Sequence, residues 1–495
     1  MKGYIVTARD CIQFAEQNNM LLKIKKEVDP CYEIASITKA FDGGPVLLFE
    51  NIKGYPGWKV LANLMGNRDI IARYFDTTKE KLSEMFIESV ASPVAPLITE
   101  DAPCQENVLD KNIDILKTLP VMTHTPMDIG PVITGGVVMV KYPEEMAGDD
   151  LSFNLSYHRL YAGRASDWLT LASLYNRHFL DVLHYHKKRG EEYPLTINIG
   201  LSPSLNILAA GGTLPQIRPK GKDDLGVAGA LQGSPVRICK ARTVDAFCLA
   251  DAEIVLEGKI LYGERVYEYD KESQKTERPP YFFPEFMGYE GMAGKAFKFQ
   301  VTAITHRHSP YYVSQMADSV ESSNLGAVVS EASVYNACKN LAPDSFINCH
   351  ILNCMRGILG VVIQCKTNHI LETGISQGLI SAAFGAFRNL KFVVVVDEDV
   401  DIYDPEDVLW ALTLRTKPDR DINIIKKAGL GDLFETRWSV DTTVPFGNKW
   451  RAVRPKYKEV DIREILESPE MEKAVSLMSE SSRRYARRHI IKKEP

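Results

Sequence analysis

Residues 297–303 read Phe-Lys-Phe-Gln-Val-Thr-Ala, so that Phe297, Phe299, Val301 and Ala303 alternate strictly with Lys298, Gln300 and Thr302. Only an extended chain returns every second side chain to the same face, and this stretch therefore reads as a half-buried β-strand. It has company. Ile133 to Val140 is nearly all apolar, Leu195-Thr-Ile-Asn-Ile199 alternates after a proline, and Glu253-Ile-Val-Leu-Glu257 leads into another extended segment. Many strands with few long helices between residues 111 and 315 point to a closed or split barrel rather than a doubly wound sheet. Trp168 to Lys188 admits either one long helix or a strand to about Leu174 followed by a helix from about Asn176. The second reading is preferred, and it puts His178 at a helix N-terminus.

The flanks differ from this middle. Thr7 to Asn18 has helical apolar spacing, Leu21 to Val28 reads as a strand, Gly43 to Asn51 as a turn followed by a buried strand, and Asp69 to Val90 is helix-rich. The proline-rich link Ala91-Ser-Pro-Val-Ala-Pro96 then marks a boundary, placed near residue 110. Beyond residue 316, Ile358 to Ile363 and Phe392 to Val396 are short apolar runs of buried parallel-strand type. Helical stretches follow at Gly378 to Arg388 and Asp404 to Leu414. The expected fold class is therefore α/β plus β in three parts: an N-terminal α/β domain (1–110), a central split β-barrel (111–315) and a C-terminal α/β domain (316–460). A helical tail (461–495), basic through Arg483, Arg484, Arg487, Arg488, Lys492 and Lys493, is expected to serve subunit packing in a homodimer or larger homo-oligomer.

Composition excludes several classes of function. A net charge of −5 leaves no electrostatic footprint for nucleic acid. Nine cysteines without a CxxC pair signal neither a disulfide framework nor structural zinc, and a reducing cytoplasm fits them best. No apolar run is long enough to span a bilayer, and the first ten residues lack the apolar core of a signal peptide.

The chemistry-bearing residues come in a fixed order: Asn154-Leu-Ser-Tyr-His-Arg159, then His178, then Asp224, then Glu285 within Pro279-Pro-Tyr-Phe-Phe-Pro-Glu-Phe-Met-Gly-Tyr289. An amide oxygen, an imidazole and a carboxylate suit a hard or borderline divalent cation. Val28-Asp-Pro30, Gly43-Gly-Pro-Val-Leu-Leu-Phe-Glu-Asn-Ile-Lys-Gly-Tyr55, Asn63-Leu-Met-Gly66, Ala228-Gly-Ala-Leu-Gln-Gly233 and Phe392-Val-Val-Val-Val-Asp-Glu-Asp399 lie collinear with them. Together these segments resemble the UbiD family of reversible decarboxylases that use prenylated flavin mononucleotide.

The resemblance implies that Asn154, His178 and Asp224 ligate Mn²⁺ or Mg²⁺, with K⁺ as a further possible cation. It implies that Asn154, Tyr157, His158, Arg159, Arg177, His178 and Asp224 surround the flavin, and that Arg159 and Glu285 are catalytic. Two departures stand out. Asp224 replaces the family's glutamate and is one methylene shorter. Pro280 occupies the place of a second carboxylate five residues before Glu285, so the Glu-Arg-Glu chain is expected to be incomplete unless Glu277 or Glu290 replaces it. Arg159 would then be free for a second anionic group on the substrate. The aromatic surroundings of Glu285 are expected to desolvate it and raise its pKa, as an acid catalyst requires. The implied activity is decarboxylation of an aromatic, heteroaromatic or α,β-unsaturated acid, releasing CO2, with a flavin prenyltransferase as supplier of the cofactor. Carboxylation in the reverse direction, or a non-catalytic flavin-binding subunit, are the alternatives.

Overall fold

The computed structural model describes residues 5–147, 151–173, 178–211, 217, 222–271, 278–428 and 435–455. The chain forms two compact units, Met1–Ser333 and Val334–Pro495. The division falls within the helix Val320–Leu341.

The first unit opens with the helix Ala8–Gln17. Thr7 caps it by accepting from the Asp10 amide, and Asp10 closes a capping box back onto Thr7. A four-stranded sheet follows, in the order Leu21–Ile24, Val46–Phe49, Lys59–Ala62 and Tyr311–Val313. Its last strand arrives from 250 residues downstream and pairs in parallel with Lys59–Ala62. The segments expected as separate N-terminal and central parts thus share one compact unit, because backbone hydrogen bonds cross the boundary drawn near residue 110. Asn107–Leu109 crosses it too, pairing with Lys295–His306.

The centre is a nine-stranded sheet in which every pairing is antiparallel. Its path runs Val132–Ile133, Arg159–Tyr161, Trp168–Ala172, Lys295–His306, Ile254–Tyr267, Tyr193–Ile199, Gly136–Lys141 and Phe153–Tyr157. One connection decides its shape. Phe153–Tyr157 closes one end of that path, Arg159–Tyr161 lies beside the other end, and only His158 separates them in sequence. The sheet must curl until its ends meet at His158, which makes it a half-barrel. Curling needs local relief in the longest strand pair. The register between Ile254–Tyr267 and Lys295–His306 shifts at Glu257/Gly258, where a Cβ on Gly258 would lie 2.1 Å from the Gln300 carbonyl oxygen. The alternation read at 297–303 is present as the strand Lys295–His306, with Phe299, Val301 and Ala303 buried.

The second unit is an α/β sheet in the order Phe346–His350, Gly360–Cys365, Phe392–Asp397, Arg437–Asp441 and Ile422–Ile425. The middle three strands are parallel. Val362, Val394 and Val396 pack with Val408 of the helix Pro405–Arg415 to form its core. Asp397 ends the central strand, as the apolar run had indicated. The basic tail from residue 461 lies outside the described residues.

Candidate active site

The seam at His158 brings the site together. Asn154 lies on the strand Phe153–Tyr157, opposite Val140, and is 3% exposed. Asp224 is the first residue of the helix Asp224–Gln232, whose N-cap is Asp223. That capping carboxylate accepts from the Gly226 amide at 2.6 Å and the Leu225 amide at 3.2 Å, and also from the Phe153 amide at 3.0 Å, pinning the helix start to the strand. Asp224 is thereby held against Asn154. Its Oδ2 accepts from Asn154 Nδ2 at 3.1 Å and from the Leu155 amide at 2.8 Å. The Asn154 side chain, with its nitrogen committed to Asp224, is left with a buried Oδ1 that has no hydrogen-bond partner among the described residues. An orphaned buried acceptor costs about 1–3 kcal/mol, and a cation would satisfy it. His178 is buried and lies on the helix His178–Arg189, which follows the strand Trp168–Ala172 in keeping with the strand-then-helix reading; residues 174–177 lie outside the described residues. The His178 ring lies 6.4 Å from that of Tyr142, two residues beyond the partner of Asn154. The paired amide and carboxylate of Asn154 and Asp224, with the imidazole of His178 beside Tyr142, are ligand types that suit a divalent cation.

Arg159 starts the next strand, and here the sequence expectation is corrected. Its guanidinium is not free. Nε donates to Glu268 Oε1 at 3.0 Å, Nη2 donates to Glu268 Oε2 at 2.7 Å, and Nη1 reaches Glu285 Oε1 at 3.4 Å. A Glu-Arg-Glu chain is present despite Pro280, with the second carboxylate supplied by Glu268 and not from the segment before Glu285. The cause is strand pairing. Tyr267 ends its strand directly opposite Lys295, so Glu268 emerges beside Gly294, to which it is tied in both directions. Glu290 is not a partner of Arg159; it faces Pro284 across the hairpin. Glu277 lies outside the described residues.

Glu285 follows the strand Tyr281–Pro284, whose Phe282 and Phe283 are buried. The Arg159 guanidinium sits 4.4 Å above the Phe282 ring. Burial raises the Glu285 pKa above the ordinary carboxylate value while Arg159 opposes the rise, and the same two causes act in the same order on Glu268. Glycine is required at 291, where a Cβ would stand 2.6 Å from Glu285 Cγ. Neither Glu268 nor Gly291 had a motif. Glu268 sits in an ordinary charged stretch, Tyr267-Glu-Tyr-Asp270, and only the register of two long strands would have pointed to it.

The remaining expected cofactor contacts differ among themselves. Side chains alternate along a strand, so Tyr157 leaves on the face opposite Asn154; its hydroxyl donates to Asn206 Oδ1 at 2.7 Å. His158 places Nδ1 3.0 Å from the Ala172 carbonyl, which makes that nitrogen the donor, and Nε2 2.9 Å from the Ser156 hydroxyl. Both ring nitrogens close the seam, so contacts of Tyr157 or His158 with a flavin would run through backbone or ring face. Arg177 lies outside the described residues.

Comparison with known proteins covers the same ground. Residues 12–90, 97–319 and 323–433 match the N-terminal, Rift-related and C-terminal domain families of 3-octaprenyl-4-hydroxybenzoate carboxy-lyase (UbiD). The gallate decarboxylase of Lactiplantibacillus plantarum is 32% identical over 417 residues, 81% of this chain and 82% of that enzyme. An evolved dimeric form of HmfF from Pelotomaculum thermopropionicum, a UbiD-class enzyme solved with prFMN, superimposes with a TM-score of 0.80 at 31% identity, over 94% of this chain and 99% of that one. The apo 3,4-dihydroxybenzoic acid decarboxylase of Enterobacter cloacae does so with a TM-score of 0.85 at 29% identity, over 95% and 100%.

Proposed function

The chain belongs to the UbiD family of carboxy-lyases, and on that premise we propose that it interconverts an aromatic, heteroaromatic or α,β-unsaturated acid with CO2 and the decarboxylated product, using prenylated flavin mononucleotide and Mn²⁺ or Mg²⁺. The observation that carries this reading is the sharing of one guanidinium, Arg159, between the buried carboxyl group of Glu268 and the half-buried one of Glu285. Five residues away, on the strand across the seam, stands the orphaned amide oxygen of Asn154. Asn154, His178 and Asp224 would hold the cation, leaving its other positions to a phosphate oxygen and water. When bound, prenylated flavin supplies the electron sink that no side chain offers to a carbanion in an sp2 orbital.

The protein's own residues do the rest. Arg159, held in place by the two bonds it donates to Glu268, presents Nη1 toward Glu285 and toward the carboxylate of a bound acid. Burial favours the neutral form of Glu285 against the pull of Arg159, so the proton needed by the carbon that loses CO2 is held there more firmly than on an ordinary carboxylic acid. Read backwards, the same acid takes that proton away, and the CO2 concentration sets the direction. Relatives that act on gallate and 3,4-dihydroxybenzoate support aryl acids as the substrate class. A flavin prenyltransferase as cofactor supplier, a homo-oligomeric assembly and a cytoplasmic setting complete the proposal. Among the described residues no helix is long and apolar enough to cross a membrane.

The test is expression with and without a flavin prenyltransferase, followed by a panel of aryl and acrylic acids. Activity should appear only with the prenyltransferase, and Glu285→Gln should lower turnover by about 10²-fold or more with flavin retained. Robust decarboxylation by flavin-free protein would overturn the reading; unchanged turnover in Glu285→Gln would overturn the choice of acid.

A further inference from the structure

Three of the nine cysteines are gathered in one place remote in sequence from the residues described above. Cys239 lies on the strand Arg237–Lys240 and Cys248 directly opposite it on Phe247–Leu249, so both side chains stand on the same face of the ribbon. Cys104, on the short helical turn Pro103–Gln105, comes from 135 residues away and places its Sγ 3.8 Å from that of Cys239. The Cys104 amide donates to the Ala250 carbonyl at 3.0 Å, which fixes this approach through the backbone. The Cys248 thiol also lies 3.9 Å from Oε1 of the buried Glu257. All three cysteines are buried, whereas Cys31 and Cys354 are exposed.

From this geometry we propose that Cys104 and Cys239 are a reversible oxidation site, converted by hydroperoxides into a disulfide, with Cys248 able to exchange into it. A disulfide needs its sulfurs about 2 Å apart, so from 3.8 Å the pair has about 2 Å to close. The attacking sulfur is Cys239. Thiol donors from Cys104 and Cys248, with Arg242 and Arg237 nearby, hold its pKa well below the usual thiol range and so favour the thiolate. Burial and the neighbouring thiolate keep the other two thiols protonated. The thiolate attacks one peroxide oxygen: an S–O bond forms, the O–O bond breaks and the second oxygen leaves as hydroxide, which takes up the proton released when Cys239 ionised and becomes water. Cys104 then attacks the oxidised sulfur: the S–S bond forms, the S–O bond breaks, and that oxygen leaves as water with the Cys104 proton. Two thiols and one hydrogen peroxide give one disulfide and two waters. The new bond ties the stretch that enters the half-barrel to the ribbon that follows the helix Asp224–Gln232.

The test uses the folded full-length protein, reduced, desalted and exposed to hydrogen peroxide, then unfolded, alkylated and mapped by mass spectrometry. The expected product is a peptide pair joined through Cys104 and Cys239, two hydrogens lighter than the separate peptides and restored by dithiothreitol. In Cys104→Ser the link should move to Cys239–Cys248, while in Cys248→Ser the original link should remain; thermal melts establish that each variant is folded. The proposal is overturned if Cys31 and Cys354 are consumed while all three buried cysteines are recovered as thiols. It is equally overturned if the link forms only when peroxide is added to unfolded protein. The wild-type map decides the matter by itself if a variant fails to fold.

Discussion

Replacing Glu268 by glutamine isolates what the second carboxylate does for the first. Arg159 divides its charge between Glu268, at 3.0 and 2.7 Å, and Glu285, at 3.4 Å. Glutamine keeps the length but is neutral, and its one carbonyl oxygen cannot serve both positions that now accept from Nε, Nη2 and the Gly294 amide. With that counter-charge gone, Glu285 becomes the anionic partner of the guanidinium among the described residues, and its ionised form gains. Two carboxylates on opposite edges of one guanidinium stand roughly 7 Å apart, where a unit charge acts with about 2 kcal/mol at an effective dielectric of about 20. Losing that charge lowers the Glu285 pKa. Because Glu285 works as the protonated acid, activity is lost as pH rises through its pKa, and the variant should lose it earlier. The assay is kcat against pH for the flavin- and metal-loaded enzyme, with flavin absorbance to establish equal occupancy. The alkaline limb should move to lower pH, so that at a pH on that limb the variant falls behind the wild type by up to about 30-fold. A limb that stays in place, or moves to higher pH at full occupancy, would refute the idea that Glu268 tunes Glu285 through Arg159.

Other perturbations test other joints of the site. Asn154→Ala and His178→Ala should each lose metal and flavin together on purification, whereas Asp224→Glu should keep both; metal analysis and the flavin spectrum report the outcome. Gly291→Ala places a methyl where Glu285 Cγ already stands 2.6 Å from the ideal Cβ position, and the displaced acid should lower kcat by about 10²-fold with flavin occupancy unchanged. Glu321 lies buried at the start of the helix Val320–Leu341, its Oε1 accepting from the Met65 amide at 2.9 Å, and burial pushes its pKa up to about 7. The folded state then holds that proton more tightly than the unfolded chain does. Its stabilisation is complete below the ordinary glutamate pKa and is lost as pH rises to about 7, by about 3 kcal/mol. Glu321→Gln should flatten that slope, as measured by denaturant unfolding on either side of the interval; an unchanged slope would place it in another group.

Much of this was legible in the residues alone, because some properties are local. Period-2 alternation at 297–303 required a strand wherever that segment came to lie, and the apolar spacing from Thr7 to Asn18 called for the helix found at Ala8–Gln17. That a strand gives way to a helix between Trp168 and Lys188 followed from the break between an apolar strand and a helical spacing. The burial that raises the Glu285 pKa was foreshadowed by its aromatic neighbours, Phe282 and Phe283. What could not be read was whatever depends on register between distant segments. Glu268 and Arg159 are 109 residues apart, and their ion pair exists because Tyr267 pairs with Lys295 in a sheet whose ends close at His158. Pro280 looked like the loss of a carboxylate because position along the chain was the only available measure of proximity. The orphaned oxygen of Asn154 and the meeting of Cys104 with Cys239 are of the same kind. A periodicity decides which face a side chain takes; only the folded sheet decides what stands opposite it.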